Sequence, residues 1–222
     1  FGTRSRYETV IHNAPNSEIF NTHGKLPFST RHKIRLVGSG WSSHENKGFQ
    51  TFQWLDRHLD FSRYELSFIG NVPTTFANIQ TIPPLSSEEL AKEIKKNDIY
   101  IFSSKIEACS NALIEAMSCG LPALAPASSS NPEILGTGGE VFSEDAEIPE
   151  KLEVVIQNYE LYQESIPQFH IESVATSYID FAKTILADTK DGSYRQKRMD
   201  IVSALRFLLL KCRILKWKVS AK

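Results

Sequence analysis

Short apolar runs alternate with amphipathic helical patterns along most of this chain. Residues 34–37, in which Ile34, Leu36 and Val37 are apolar, end at a Gly-Ser-Gly turn, and residues 47–59 follow with apolar positions at helical spacing. The same alternation continues to residue 186. It predicts further strands at residues 64–69, 79–82, 98–102, 122–125 and 140–142, and further helices at residues 86–96, 110–118, 131–135, 149–164 and 170–186.

Strands that alternate with helices at this spacing predict an α/β fold with an open, doubly wound, mostly parallel Rossmann-like sheet, followed by C-terminal helices. Ligands of such sheets bind beyond the carboxyl ends of the strands. The candidate site loops are therefore residues 38–47, 70–75, 83–86, 103–110 and 126–131.

The composition is that of a globular protein, with 41% hydrophobic and 23% charged residues among 222. Three scattered cysteines without a Cys-x-x-Cys pair exclude a disulfide framework and a thiol zinc site, and they favour a cytoplasmic protein with reduced thiols. No apolar run reaches the roughly 18 residues of a membrane span.

The net charge of −1 conceals an uneven distribution. Residues 195–222 contain nine basic residues and one acidic residue, Asp200, and their apolar positions recur at helical spacing. Such a segment fits a helix on an anionic membrane surface or a helix docked on another domain. Nucleic acid has only charge in its favour and is not expected. The predicted organisation is an interdomain linker at 1–30, a Rossmann-like domain with its closing helix at 31–187, and a basic amphipathic tail at 188–222.

The most informative stretch joins the strand at residues 98–102 to the helix at residues 110–118. Ser110 is a natural N-cap, so the backbone N–H groups of Ser110, Asn111 and Ala112 face the strand ends, where a helix start favours phosphate. Asn111 and Glu115 lie four residues apart and share one helix face. One helix can therefore offer amides to a diphosphate and a carboxylate to neighbouring sugar hydroxyls.

Glu107 and Glu115, separated by seven residues and followed by Ala-Met-Ser-Cys-Gly-Leu-Pro, resemble the signature of the family-four retaining glycosyltransferases. Residues 10–20, the Lys47-Gly48 pair and residues 130–133 with the later Gly-Gly resemble the flanking segments of that family. The resemblance covers roughly residues 9–185, which corresponds to the C-terminal domain of the two-domain GT-B fold. We expect the N-terminal, acceptor-binding domain to lie outside this sequence.

The resemblance implies a transferase, of the hexosyl type, that moves a sugar from a nucleoside-diphosphate donor to a glycan or lipid-linked acceptor with retention. Glu107 and Lys47 are the implied catalytic residues, toward the donor sugar and the diphosphate. Glu115 is implied to bind the ribose, and the candidate donor-binding set is Glu115, Ser110, Asn111, Ala112 and Gly38. No metal or other cofactor is implied, and a UDP- or GDP-linked donor is expected. Ser42 stands where the family usually has an arginine.

Other interpretations remain open at this point. A nucleotide-sugar epimerase of the same architecture would act on the donor alone, and a non-catalytic module would bind the donor while its basic tail anchors it. A hydrolase with Glu107 and Glu115 as its carboxylate pair is weaker, since both carboxylates would have to converge on one bond. A dinucleotide fingerprint at residues 38–40 lacks its third glycine. We expect a protein in the cytoplasm, either free or peripheral to the membrane.

Overall fold

A computed structural model of the chain describes residues 7–42, 44–193 and 209. Six strands are found in these residues: β1 (Ile34–Gly40), β2 (Tyr64–Gly70), β3 (Gln80–Ile82), β4 (Ile99–Ile101), β5 (Ala123–Pro126) and β6 (Gly139–Phe142). They form one sheet in the order β3-β2-β1-β4-β5-β6, and every neighbouring pair is parallel. This confirms the predicted doubly wound parallel sheet.

The helices follow the strands in the predicted alternation. They are α1 (Phe49–His58), α2 (Ser87–Ile94), α3 (Asn111–Ser118), α4 (Asn131–Leu135), α5 (Ile148–Gln157), α6 (Tyr159–Glu164) and α7 (Ile171–Lys190). The capping box expected before α2 is present, because the Ser86 hydroxyl accepts from the Glu89 N–H and the Glu89 carboxylate accepts from the Ser86 N–H.

Two predicted helices differ from the structure. The helix expected from residue 47 begins only at Phe49, since Gly48 adopts a left-handed conformation with φ 72° and Glu45–Lys47 forms a separate 3-10 turn. The single helix expected at residues 149–164 is broken at Asn158, which has φ −123° and ψ 30°. The Asn158 side chain donates to the Val154 carbonyl at 3.0 Å, so it satisfies the end of α5 locally.

The core lies on both faces of the sheet. On one face α2, α3 and α4 pack against strand residues that include Val37 and Tyr100. On the other face α1, α5 and α6 pack against neighbouring strand residues that include Leu36 and Ile99. Adjacent strand residues thus enter opposite layers, which explains why β4 and β5 read as continuous apolar runs.

Val10–Ser177 forms one compact unit that contains the sheet. Within it, Phe20 is 5% exposed and packs in the core, so part of the segment expected to be a linker contributes to the domain. The described residues 7–9 and 178–193 belong to a second unit, in which the Tyr7 hydroxyl donates to the Asp188 carboxylate. The predicted basic amphipathic tail at residues 188–222 lies outside the described residues, apart from residues 188–193 and Leu209.

A buried ion pair joins the two central strands. The Asp98 side chain is fully buried and accepts from Arg35 Nη2 at 2.7 Å and from Arg35 Nε at 3.0 Å. The backbone N–H of Arg35 also donates to Asp98 Oδ2 at 2.9 Å, and the N–H of Asp98 donates to the Arg35 carbonyl at 2.7 Å. The hydrogen bonds that the Arg35 guanidinium donates to Asp98 raise the pKa of Arg35. These contacts align β1 and β4, the strands between which the strand order reverses.

Candidate functional site

The carboxyl ends of β1, β2 and β4 surround a cavity of about 300 Å³. In doubly wound sheets the ligand crevice lies where the strand order reverses, and here that point is between β1 and β4. Four of the five predicted loops line the cavity. Their contributions are Ser39–Ser42 and Lys47 after β1, Gly70 after β2, Pro84–Leu85 after β3, and Ser103, Ser104, Glu107, Cys109 and Ser110 after β4, with Asn111, Ala112 and Glu115 from α3.

The first turn of α3 borders this cavity. Ser110 is the N-cap, is 5% exposed, and its hydroxyl accepts from the Leu113 N–H at 3.4 Å. The Ile114 N–H donates to the Ser110 carbonyl at 3.2 Å, whereas the N–H groups of Asn111 and Ala112 precede the first intrahelical bond. The start of α3 therefore presents backbone donors and the positive end of its dipole to the cavity.

Lys47 and Glu107 face each other across the cavity wall. Their charged atoms, Lys47 Nζ and Glu107 Oε1, are 2.5 Å apart, and the side chains are 38% and 17% exposed. The backbone of Lys47 is held by the Ser103 hydroxyl, which donates to its carbonyl at 2.6 Å. Gly48 is required beside it, because a Cβ there would lie 2.0 Å from the Ser103 carbonyl oxygen. The loop after β1 thus packs directly against the loop after β4.

Glu115 lies one turn into α3 and lines the same cavity. Among the described residues its carboxylate has no hydrogen-bond or ion-pair partner, and burial raises its pKa from 4.5 to about 7. A half-buried carboxylate without a protein partner is a strong acceptor for ligand hydroxyl groups.

The loop after β5, predicted to contact the ligand, instead supports the loop after β4. The hydroxyl of Ser128 donates to the Lys105 carbonyl at 3.0 Å, and those of Ser129 and Ser130 donate to the Glu107 carbonyl. None of these serines was predicted as a site residue. The sequence signal that could have indicated their role is the run of three hydroxyl-bearing residues that follows the carboxyl end of β5.

Gly38 is the predicted donor-binding residue that the structure does not bring into the cavity. It is buried within β1, where a Cβ would lie 2.3 Å from Phe52 Cζ and 3.0 Å from the Ile101 carbonyl oxygen. The glycine is explained by the close packing of α1 on the sheet, which the strand pattern alone does not reveal. Trp41, which is 64% exposed, does line the cavity and was not predicted as a site residue.

The cationic character of the cavity is weak. Of the described residues that line it, Lys47 is the one cation. Ser42, which stands in the place of the family's arginine, also lines the cavity, and its hydroxyl accepts from the His44 N–H at 3.2 Å. In residues 7–42 and 44–193 no group of three His, Cys, Asp or Glu side chains is arranged to hold a metal ion.

An all-parallel sheet with a ligand-sized cavity at its switch point defines a doubly wound α/β ligand-binding domain. Residues 76–168 match the family model described as glycosyl transferases group 1. Residues 76–168 are therefore similar to a domain of that glycosyltransferase family. The matched segment contains Glu107, the start of α3 and Glu115, whereas Lys47 lies before it.

Solved structures share this fold. The lipopolysaccharide outer core galactosyltransferase WaaB, in its apo form, superimposes with a TM-score of 0.62 at 16% identity, over 79% of this chain and 55% of that chain. Sucrose-phosphate synthase from Thermosynechococcus elongatus superimposes with a TM-score of 0.58 at 13% identity, over 78% of this chain and 51% of that chain. The chain thus spans about half the length of these structures. No curated protein matches it in sequence.

Proposed function

We propose that this chain is the donor-binding half of an enzyme that transfers a sugar from a nucleoside-diphosphate donor to an acceptor hydroxyl, with retention at the anomeric carbon. One observation carries the proposal. Lys47 follows β1, whereas Glu107, the start of α3 and Glu115 follow β4, and all of them line one cavity at the point where the strand order reverses.

The diphosphate would bind between Lys47 and the amides of Ser110, Asn111 and Ala112. An ammonium group and free helix-start N–H groups are the donors that phosphate oxygens prefer. The bond between the anomeric carbon and the diphosphate oxygen breaks during transfer, the acceptor oxygen bonds to the same carbon, and the acceptor proton leaves with the diphosphate. Lys47 and the amides would stabilise the charge that develops on the leaving group, and this would be their catalytic contribution.

The two glutamates would serve different parts of the donor. Glu115 has no partner within the described residues, so its carboxylate is free to accept both hydroxyls of a ribose. Glu107 is paired with Lys47, the proposed phosphate ligand, and this pairing supports a role for its carboxylate beside the sugar that follows the diphosphate. The galactosyltransferase among the structural neighbours is named for a hexose, which supports a hexosyl donor here.

A thermal-shift screen of UDP-, GDP- and ADP-linked sugars tests this function and identifies the base. At least one nucleotide sugar should raise the unfolding temperature, because a ligand that binds only the folded state stabilises it by mass action. Absence of any shift with all three classes would contradict the proposal. Incubation with the donor alone separates the alternatives, since an epimerase would change the sugar without an acceptor.

The basic tail at residues 195–222 supports a second, separate proposal, namely that it binds an anionic membrane surface and brings the enzyme to a lipid-linked or membrane-bound acceptor. Among the described residues, no helix is long and apolar enough to cross a membrane. Nine basic residues with apolar positions at helical spacing favour surface binding. Flotation with phosphatidylserine vesicles should recover the chain at low salt and lose it at high salt. Equal recovery with neutral vesicles would contradict the electrostatic mechanism.

A further inference from the structure

Three consecutive serines after β5 hold the loop that carries Glu107. The Ser128 hydroxyl donates to the Lys105 carbonyl at 3.0 Å, and the Ser130 hydroxyl donates to the Glu107 carbonyl at 3.1 Å. None of the three lines the cavity. They contact this loop outside the cavity.

Ser129 makes the most specific of these contacts. Its hydroxyl accepts from the Glu107 N–H at 3.1 Å and donates to the Glu107 carbonyl. A single hydroxyl therefore binds both peptide groups that flank the Glu107 Cα atom. Fixing both groups fixes the direction in which the Glu107 side chain leaves the backbone.

The backbone of Ser129 is unfavourable for a serine. Its φ is 59°, and among the described residues it is the one non-glycine with a positive φ. Glycine adopts this conformation without steric cost. Ser129 is exposed, so its side chain is not needed to fill the core. The double hydrogen bond to Glu107 is the contact that a glycine at this position would lack.

We propose that Ser129 is a positioning residue that orients Glu107 toward the donor sugar, an inference that rests on the proposed function of Glu107. Before the donor binds, Lys47 holds the Glu107 carboxylate through their ion pair. A diphosphate that binds Lys47 shares its ammonium group and weakens this pair. When the donor is bound, the orientation of Glu107 then depends more on its main chain, to which Ser129 is hydrogen-bonded.

Substitutions at residue 129 separate positioning from stability. Ser129→Gly removes the hydroxyl and the backbone strain, whereas Ser129→Thr keeps the hydroxyl and increases the strain, with room for the added methyl on the exposed side. Ser128→Ala is the matched control, since it removes a hydrogen bond to Lys105 and none to Glu107. Unfolding temperatures and calorimetric affinities are measured for UDP-glucose against UDP and for GDP-mannose against GDP.

The readout is the ratio of the affinity for the nucleotide sugar to that for its nucleoside diphosphate, which isolates the contribution of the sugar. Ser129→Gly should lower this ratio about three- to tenfold. Its unfolding temperature should be no lower than that of Ser129→Thr. Ser129→Thr should retain the ratio although it unfolds earlier, and Ser128→Ala should leave the ratio unchanged.

Two results would overturn the inference. Ser129 does not position Glu107 if the affinity ratio follows the unfolding temperature across the variants. The same conclusion holds if Glu107→Gln lowers the ratio while Ser129→Gly keeps it at the wild-type value. If wild type binds no nucleotide sugar, or Glu107→Gln leaves the ratio unchanged, the proposed function of Glu107 fails and the inference fails with it.

Discussion

The ammonium nitrogen of Lys47 lies 2.5 Å from a carboxylate oxygen of Glu107, so the two residues proposed to serve the donor are paired with each other. Lys47 is also the one cation among the described residues that line the cavity. Glu107 therefore reduces the positive charge that this ammonium group offers to a diphosphate, and the two anions compete for it.

This competition predicts that Glu107→Gln strengthens the binding of a bare nucleoside diphosphate. A partly exposed ion pair contributes about 0.2–1 kcal/mol, so the affinity for UDP or GDP should rise by up to about fivefold in calorimetry. Lys47→Met is the companion variant and should weaken the same binding. Equal or weaker diphosphate affinity in Glu107→Gln would show that the pair does not limit access to Lys47.

The raised pKa of Glu115 predicts a specific dependence of stability on pH. Burial raises the pKa from 4.5 to about 7 in the folded state, so between these values the folded protein binds more protons than the unfolded chain. The free energy of unfolding should therefore fall as the pH rises through this window. Glu115→Gln should unfold a few degrees above wild type at pH 8 and close to it at pH 5. The same difference at both pH values would contradict this origin.

Gly38 and Gly40 test whether the first glycine of the β1 turn serves packing or ligand binding. A Cβ at residue 38 would lie 2.3 Å from Phe52 Cζ, whereas at residue 40 the nearest atom, Phe68 Cζ, is 3.5 Å away. Gly38→Ala should cost roughly 1–3 kcal/mol of stability in denaturant unfolding, and Gly40→Ala much less. If Gly38→Ala instead keeps its stability and loses nucleotide binding, the predicted donor contact is correct.

The ion pair between Arg35 and Asp98 should matter for stability and not for the ligand. The side chain of Arg35 is 20% exposed, and Asp98→Asn leaves its guanidinium without a full counter-charge. The free energy of unfolding should therefore fall by roughly 3 kcal/mol. Asp180→Asn removes an exposed pair with Lys183 and should change the stability by less than about 0.5 kcal/mol. Similar losses in both variants would mean that burial of Asp98 contributes little.

The strand and helix order followed from the sequence because each element has a clear period and clear ends. The β4 run is apolar at every position since α-helices cover both faces, and Ser86 with Glu89 marks the start of α2. The break at Asn158 was missed because apolar spacing continues through it. A side-chain hydrogen bond from Asn158 to the helix end leaves no mark on the hydrophobic pattern.

The composition of the site was predicted in part. Lys47, Glu107 and Glu115 line one cavity, as the family resemblance implied. The pairing of Lys47 with Glu107 depends on how the loops after β1 and β4 pack, through Gly48 and Ser103, and sequence spacing does not contain this information. The support of Glu107 by Ser129 depends on one left-handed residue, which no propensity favours for serine.

The most direct test of the proposed site is calorimetric titration of the nucleotide sugar selected by the thermal-shift screen into wild type, Glu115→Ala and Glu133→Ala. Glu133 is a matched carboxylate outside the cavity, 63% exposed and paired with His12 at 2.8 Å. Loss of hydrogen bonds from a ribose to the Glu115 carboxylate predicts roughly ten- to hundredfold weaker binding in Glu115→Ala and wild-type affinity in Glu133→Ala. Unchanged affinity in Glu115→Ala would contradict the account of this cavity as the nucleotide-sugar site.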